Sequence, residues 1–278
     1  MLISVPDTLT INQSDKYIMS IRLQPDGLSF SAYMPSVPGS FFIRKAEFDH
    51  ALSYGEAFKE FFYAHDFLTW SYRKVYFVVD FPQFTMVPAQ VFDEKQQEEF
   101  LAFNFSQPEN RCLHNTLEEE NMVVVYGMDN DTYEFCSRSF IDPLFVHSAS
   151  LLIPFWKKQS MASFSANMFA VISPKRIDVF CYRQDKPVFI NSFSVGTTED
   201  ILYYLLYIWR STGMDQYKDQ LFIYGEGGKG QTKQEIIEAL NPYLRRVEAG
   251  GIPADAYLLG DEIMHTPVDL IALSTCES

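Results

Sequence analysis

A mixed α/β fold, α+β in character with mixed sheets and built from two related halves, is what this 278-residue sequence predicts. Three observations lead there. Alternating strands joined by a tight turn open each half, at residues 17–34 and again at 167–182. Each hairpin is followed by a third strand, an amphipathic helix and a buried strand. The order repeats after about 150 residues, as an internal duplication would.

In the first half, Tyr17, Met19, Ile21 and Leu23 alternate with Ile18, Ser20 and Arg22, which has the period of a strand. Pro25, Asp26 and Gly27 make the turn, and "LSFSAYM" alternates back as the partner. "SFFIRKAEF" supplies a third strand after a Pro/Gly break. Across residues 47–67, Phe48, Ala51, Leu52, Phe58, Phe61 and Phe62 fall mainly at helical spacing on one face. "KVYFVVDF" has the β-branched and aromatic content of a central strand. Residues 84–146 then predict a helix near 93–104 and strands at "NMVVVYGM" and "TYEFCSRSF", with another helix over 141–157.

The second half opens with "NMFAVISPKRIDVFCY", a strand, a Pro-Lys-Arg turn and a strand, and "KPVFINSFSV" is the third. Thr197 with Asp200 three residues on is a capping pattern for a helix that closes near Gly213. Its apolar run, "ILYYLLYIW", is about half a membrane span and predicts a helix buried on most sides. "DQLFIYG" is the buried strand, and "QTKQEIIEALNPYL" a helix ended by Asn241 and Pro242. The polar loop at 157–167 divides the chain into residues 1–158 and 159–278, two subdomains expected to share a cleft.

Composition narrows the function classes. Lys and Arg total 22 against 36 Asp and Glu, a formal net charge of −14, which repels phosphate backbones and anionic lipid. No nucleic-acid partner and no membrane insertion are therefore expected. Cys112, Cys136, Cys181 and Cys276 include no CxxC pair, and the first residues lack a basic leader with a long apolar run, so reduced cytoplasmic thiols are expected. The five histidines form neither HxxxH nor HExxH, and no metal ligands are expected. Ser148 next to His147 implies no nucleophile and base in space, and no GxSxG elbow exists. Glu118 to Glu120 read as a solvated loop ahead of a strand.

The duplicated order, with "FAVISPKRIDVFCYRQDKPVFINSFSVGTTEDILYYLLYIW" followed by "LFIYGEGG", resembles the actin-like ATPase superfamily of sugar kinases, Hsp70 chaperones, actin and pilus-assembly actin homologues. Through "IRLQPDGLSFS", "FTMVPAQVF" and "HSASLLIPF" the chain is similar over nearly its full length to a bacterial family of unknown function with that fold. The resemblance implies two ribonuclease H-like β-β-β-α-β-α subdomains.

It also implies a chemistry that can be checked residue by residue. The superfamily needs a carboxylate near each hairpin turn to position Mg²⁺ and water, turn amides for phosphates and a Gly-Gly turn beside the adenosine. In the first hairpin the expected acidic position falls near Arg22, and residues 16–25 hold no Asp or Glu. Asp26 reads as a turn former before Gly27. From Pro143 to Ile177 there is again no acidic residue, and Pro174, Lys175 and Arg176 stand where glycine and hydroxyl residues would cradle phosphate. Lys175 and Arg176 read as solvated turn charges, with an anion contact as the alternative. Asp178 only flanks a strand.

"GEGGKGQT" has the GxxxxG spacing of a P-loop from Gly225 to Gly230, but Gln231 replaces the phosphate-binding lysine and Lys229 comes too early. In the actin-like resemblance Gly225, Gly227 and Gly228 match the nucleotide-side turn. A tight strand-to-helix turn needs glycine in any case, and structural punctuation is the reading favoured over a cofactor contact. The expectation is a catalytically silent binding or scaffold protein with an unidentified protein partner and no cofactor. The alternative is an active ATPase or kinase with displaced acidic residues, using ATP and Mg²⁺.

Overall fold

In the computed structural model the described residues are 3–49, 51–225, 227–228 and 231–276. The chain divides into two packing units, residues 1–151 with 253–278, and residues 152–252. The packing division falls within a helix, and the C-terminal segment belongs with the first unit, whereas the boundary read from the sequence lies at 158/159. Polar loop composition marks where the chain turns; it does not report which sheet a later helix covers.

The first unit opens with β1 (Ile18–Gln24), β2 (Gly27–Tyr33) and β3 (Phe42–Glu47). It continues through α1 (Tyr54–Tyr63), β4 (Lys74–Val79), β5 (Phe84–Pro88), α2 (Gln97–Asn104), β6 (Arg111–Leu117) and β7 (Met122–Met128). Next come α3 (Asn130–Ser139), β8 (Leu144–His147) and α4 (Ser148–Met161), whose later residues enter the second unit. That unit holds β9 (Ala166–Ser173), β10 (Arg176–Arg183), β11 (Lys186–Ser194), α5 (Thr198–Ser211), β12 (Gln220–Gly225), α6 (Lys233–Leu240) and β13 (Val247–Ala249). The chain ends with α7 (Val268–Cys276), back in the first unit.

The duplication is explicit in the strand orders, β3-β2-β1-β4-β8 in one sheet and β11-β10-β9-β12-β13 in the other. The directions match as well. The first hairpin and third strand are antiparallel and the fourth strand is parallel to the first in both units. The fifth strands, β8 and β13, also pair in parallel. A small sheet of order β5-β7-β6 is inserted in the first unit after β4. Of its strands the sequence reading identifies only β7, because β5 is short and Arg111–Leu117 carries polar residues throughout.

Several local expectations are corrected. The "TYEFCSRSF" segment is helix α3, not a strand: Asp129 accepts the Thr132 N–H at 2.8 Å as a cap, and buried Thr132, Cys136 and Phe140 recur every four residues. The alternation of Tyr133 with Phe135 imitates a strand. Residues 141–157 contain β8 before α4 begins, and α1 starts only at Tyr54, where Ser53 and Glu56 form a capping box. Helix α5 is not buried on most sides. Ile201, Leu205, Ile208 and Trp209 face the core, while Tyr203 and Tyr207 are 62% and 60% exposed.

Aromatic packing covers the sheets. In the first unit Phe58 and Phe62 of α1 meet Phe135 of α3, and Phe58 lies over Phe77 of β4. In the second, α5 and α6 cover one face through Leu205, Ile208, Ile236 and Leu240, and Trp156 stacks on Phe169 at 4.5 Å on the strand β9.

Candidate functional site

The first hairpin carries a buried charged cluster. Arg22 lies on β1 in register with Val78 of β4, and its guanidinium uses all three nitrogens. Nε donates to Asp269 Oδ2 at 2.7 Å, Nη1 to Gln24 Oε1 at 2.6 Å, and Nη2 to Asp80 Oδ2. The side chains are 10%, 6% and 2% exposed for Arg22, Asp80 and Asp269, so the ion pairs are shielded from solvent.

Each carboxylate is delivered by an element end. Asp80 follows the last residue of β4, its N–H bonded to Leu23 O at 2.9 Å. Asp269 lies in the first turn of α7, where the helix dipole favours an anion. Its Oδ1 accepts the Leu270 N–H at 2.9 Å, and its Oδ2 also accepts the Ser148 hydroxyl at 2.8 Å. Against the acidic position expected near residue 22, the cluster is inverted: two carboxylates are present, and an arginine fills the middle.

A divalent cation does not fit this arrangement. A metal between the Asp80 and Asp269 carboxylates would have to displace a guanidinium that is hydrogen-bonded to both, and would meet its charge. Among the described residues no group of three or more His, Cys, Asp or Glu side chains is placed to hold a metal ion.

The second hairpin also departs from the expectation for its charges. Arg176 is not a solvated turn charge: it is the first residue of β10, is buried, and pairs with Asp178, Nε to Oδ2 at 3.1 Å and Nη2 to Oδ2 at 3.0 Å. Asp178 does more than flank the strand, since it neutralises that arginine.

The glycine turn is arranged around Gln231. Gly225 has φ +74°, and a Cβ there would lie 2.1 Å from Ile172 O. A Cβ on Gly227 would lie 2.4 Å from Gln231 Oε1. The Gly227 N–H donates to Gln231 O at 3.0 Å and the Gly228 N–H to Gln231 Oε1 at 3.2 Å. Both amides of the described part of the turn thus have an internal acceptor. Lys229 and Gly230 lie outside the described residues.

His147 and Ser148 diverge. His147 Nδ1 accepts the Ala149 N–H at 3.1 Å, which leaves Nε2 to donate to Phe81 O at 3.0 Å, while the Ser148 hydroxyl points to Asp269. They are not paired as nucleophile and base. Glu118 to Glu120 form a short 3₁₀ turn closed by Asn121 at φ 51°. The sequence reading located Arg22 but missed Asp80 and Asp269. The available signal was an acid directly after the apolar run Val75–Val79 and a lone acid within the apolar run "VDLIAL".

The comparisons fit this architecture. A crystal structure from Bacteroides thetaiotaomicron, described as a protein with actin-like ATPase fold and unknown function, is 29% identical, with a TM-score of 0.82 over 96% of this chain and 99% of that one. The PilM-PilN type IV pilus biogenesis complex aligns at 11% identity and a TM-score of 0.53, over 92% of this chain and 96% of that one, which speaks to fold alone. No curated protein matches. The family model described as protein of unknown function (DUF3822) matches residues 6–247. With both sheets in the same duplicated order and that match across most of its length, the chain belongs to the DUF3822 family and has the actin-like ATPase fold.

Proposed function

We propose that the protein is a pseudo-ATPase, a catalytically silent actin-like fold that works in the cytoplasm by binding another protein. The observation that carries this reading is Arg22, whose guanidinium bridges Asp80 and Asp269 where a metal-bound phosphate would need unencumbered carboxylates. Gly225, Gly227 and Gly228 are assigned to turn geometry, because the positive φ of Gly225 and the Gln231 contacts of Gly227 and Gly228 account for them without a ligand. The described helices include none long and apolar enough to cross a membrane. Within the same fold, PilM occurs in a complex with PilN, a precedent for protein binding.

The alternative is an active ATPase or kinase with displaced acidic residues, and it draws on the same pair, since Asp80 and Asp269 do converge on the first hairpin. Thermal melting separates the two. A nucleotide at 100 times its dissociation constant would add about 2.7 kcal/mol of stability. With millimolar ATP and Mg²⁺ the proposal expects an unchanged melting temperature; a rise of several degrees that requires both would support the enzyme.

A further inference from the structure

In the first unit the chain itself caps the start of the outer strand β3, through two residues just ahead of it and one within it. Gly39 and Phe41 donate to Leu258 O and Leu259 O at 2.9 and 3.1 Å, and the Ile43 N–H to Glu262 at 2.9 Å. The opposite edge, β8, is bridged by Asn115, whose amide donates to Phe145 O at 3.0 Å and accepts the His147 N–H at 2.8 Å. In the second unit β13 is a stub of 3 residues. The counterpart of β3 is β11, a 9-residue strand at the end of its sheet. Among the described residues, the hydrogen bonds of its backbone beyond the β10 ladder reduce to one, from the Ser192 N–H to the neighbouring Asn191 Oδ1 at 2.9 Å.

Long uncovered edges are normally blunted by charge, proline or a short length. Here Lys186, Pro187 and a register shift between Pro187 and Phe189 mark the start, and the continuous stretch Phe189–Ser194 is uncharged. Beside the edge runs an aromatic shelf. Phe189 and Phe193 pair with Cys181 and Ile177 on the face that α5 covers. Phe193 stacks on Tyr204 at 4.4 Å, Tyr204 meets Tyr203 at 5.4 Å, and Tyr203 stacks on the exposed Tyr207 at 5.9 Å. A free main-chain edge flanked by exposed rings is the combination that strand addition uses: the backbone supplies hydrogen bonds, and alternate side chains find a surface.

We infer that β11 and the tyrosine face of α5 form a docking site for an extended segment of a partner protein, which adds as a sixth strand and lays alternate apolar residues on the rings. The occupant is a neutral or basic peptide, because the chain carries a net charge of −14 and a second copy would bring the same charge, which opposes self-association. The assignment rests on the protein-binding reading but is tested separately from the nucleotide question.

The test is selection of displayed random peptides of about 12 residues, long enough to span the strand, against the intact chain, with affinities then measured on variants. Tyr203→Glu with Tyr207→Glu changes exposed side chains, and Ser192→Pro removes an N–H that the β10 ladder does not use. Far-ultraviolet circular dichroism and melting establish that the variants fold. The expected result is a consensus of alternating apolar residues without net negative charge, binding about tenfold or more weaker to each variant. No such consensus, or binders indifferent to both variants, overturns the assignment without touching the nucleotide result. Light scattering that reports a dimer dissolved by Ser192→Pro would also overturn it, by placing a second copy on the edge.

Discussion

Arg22 illustrates how one buried residue organises the polar groups of a hairpin. Its fork reaches three acceptors in three directions, which a lysine ammonium on a flexible stem does not reproduce. Breaking a buried pair by removing one partner costs more than the pair contributes, because the remaining charge stays buried. Arg22→Ala is expected to destabilise by about 3–5 kcal/mol, read as a fall in melting temperature on the order of 10 °C. The combined Arg22→Met, Asp80→Asn, Asp269→Asn variant should recover most of that loss, since no charge is then stranded. If Arg22→Ala melts like the parent protein, the cluster is not the buried network described. This cluster also marks the limit of what could be read from sequence. Arg22 stood out against an expected acid, but its partners are 58 and 247 residues away, and no local pattern links them.

At the scale of elements, local signals were legible where they involved neighbours. The hairpins, the buried strand after each third strand and helix, and the Thr197–Asp200 cap follow from spacing within a few residues, and all are present. The strand expected over residues 132–140 failed because an alternating aromatic pair competes with a four-residue repeat, and contact with α1 chose the helix. Three helices share one device. Glu56, Asp200 and Glu235 close capping boxes on α1, α5 and α6. Hydrogen bonds hold all three carboxyls below their ordinary range: from the Ser53 hydroxyl and then its amide to Glu56, from the Gly196 and Thr197 amides and then the Thr197 hydroxyl to Asp200, and from the Thr232 amide and then its hydroxyl to Glu235. A depressed folded value means the stabilisation is complete above the ordinary values, 4.5 for glutamate and 3.8 for aspartate, and is lost as pH falls through the folded ones. Hydrogen exchange is the check. The Ser53, Thr197 and Thr232 amides should lose protection as acidification proceeds below the ordinary carboxyl values, ahead of β1 and β9 amides; protection that stays uniform until the sheet amides themselves exchange would contradict the capping account.

At the scale of the whole molecule, the same strand order appears twice, and the resemblance read from loose motifs agrees with the family match and with the Bacteroides structure. The fold was legible because duplication prints one order of elements twice along the chain. The chemistry was less so, because it depends on which side chains the fold gathers, and α7 brings Asp269 back from the far end of the sequence. The central claim is that an arginine serves as the built-in counter-ion of the first hairpin, in a fold whose resemblance implies Mg²⁺-bound phosphate there. Phosphate release from ATP by the purified chain, with and without Mg²⁺, tests it most directly. The account predicts release indistinguishable from buffer and unaltered by Asp80→Asn or Asp269→Asn. Mg²⁺-dependent turnover that either substitution abolishes would contradict it.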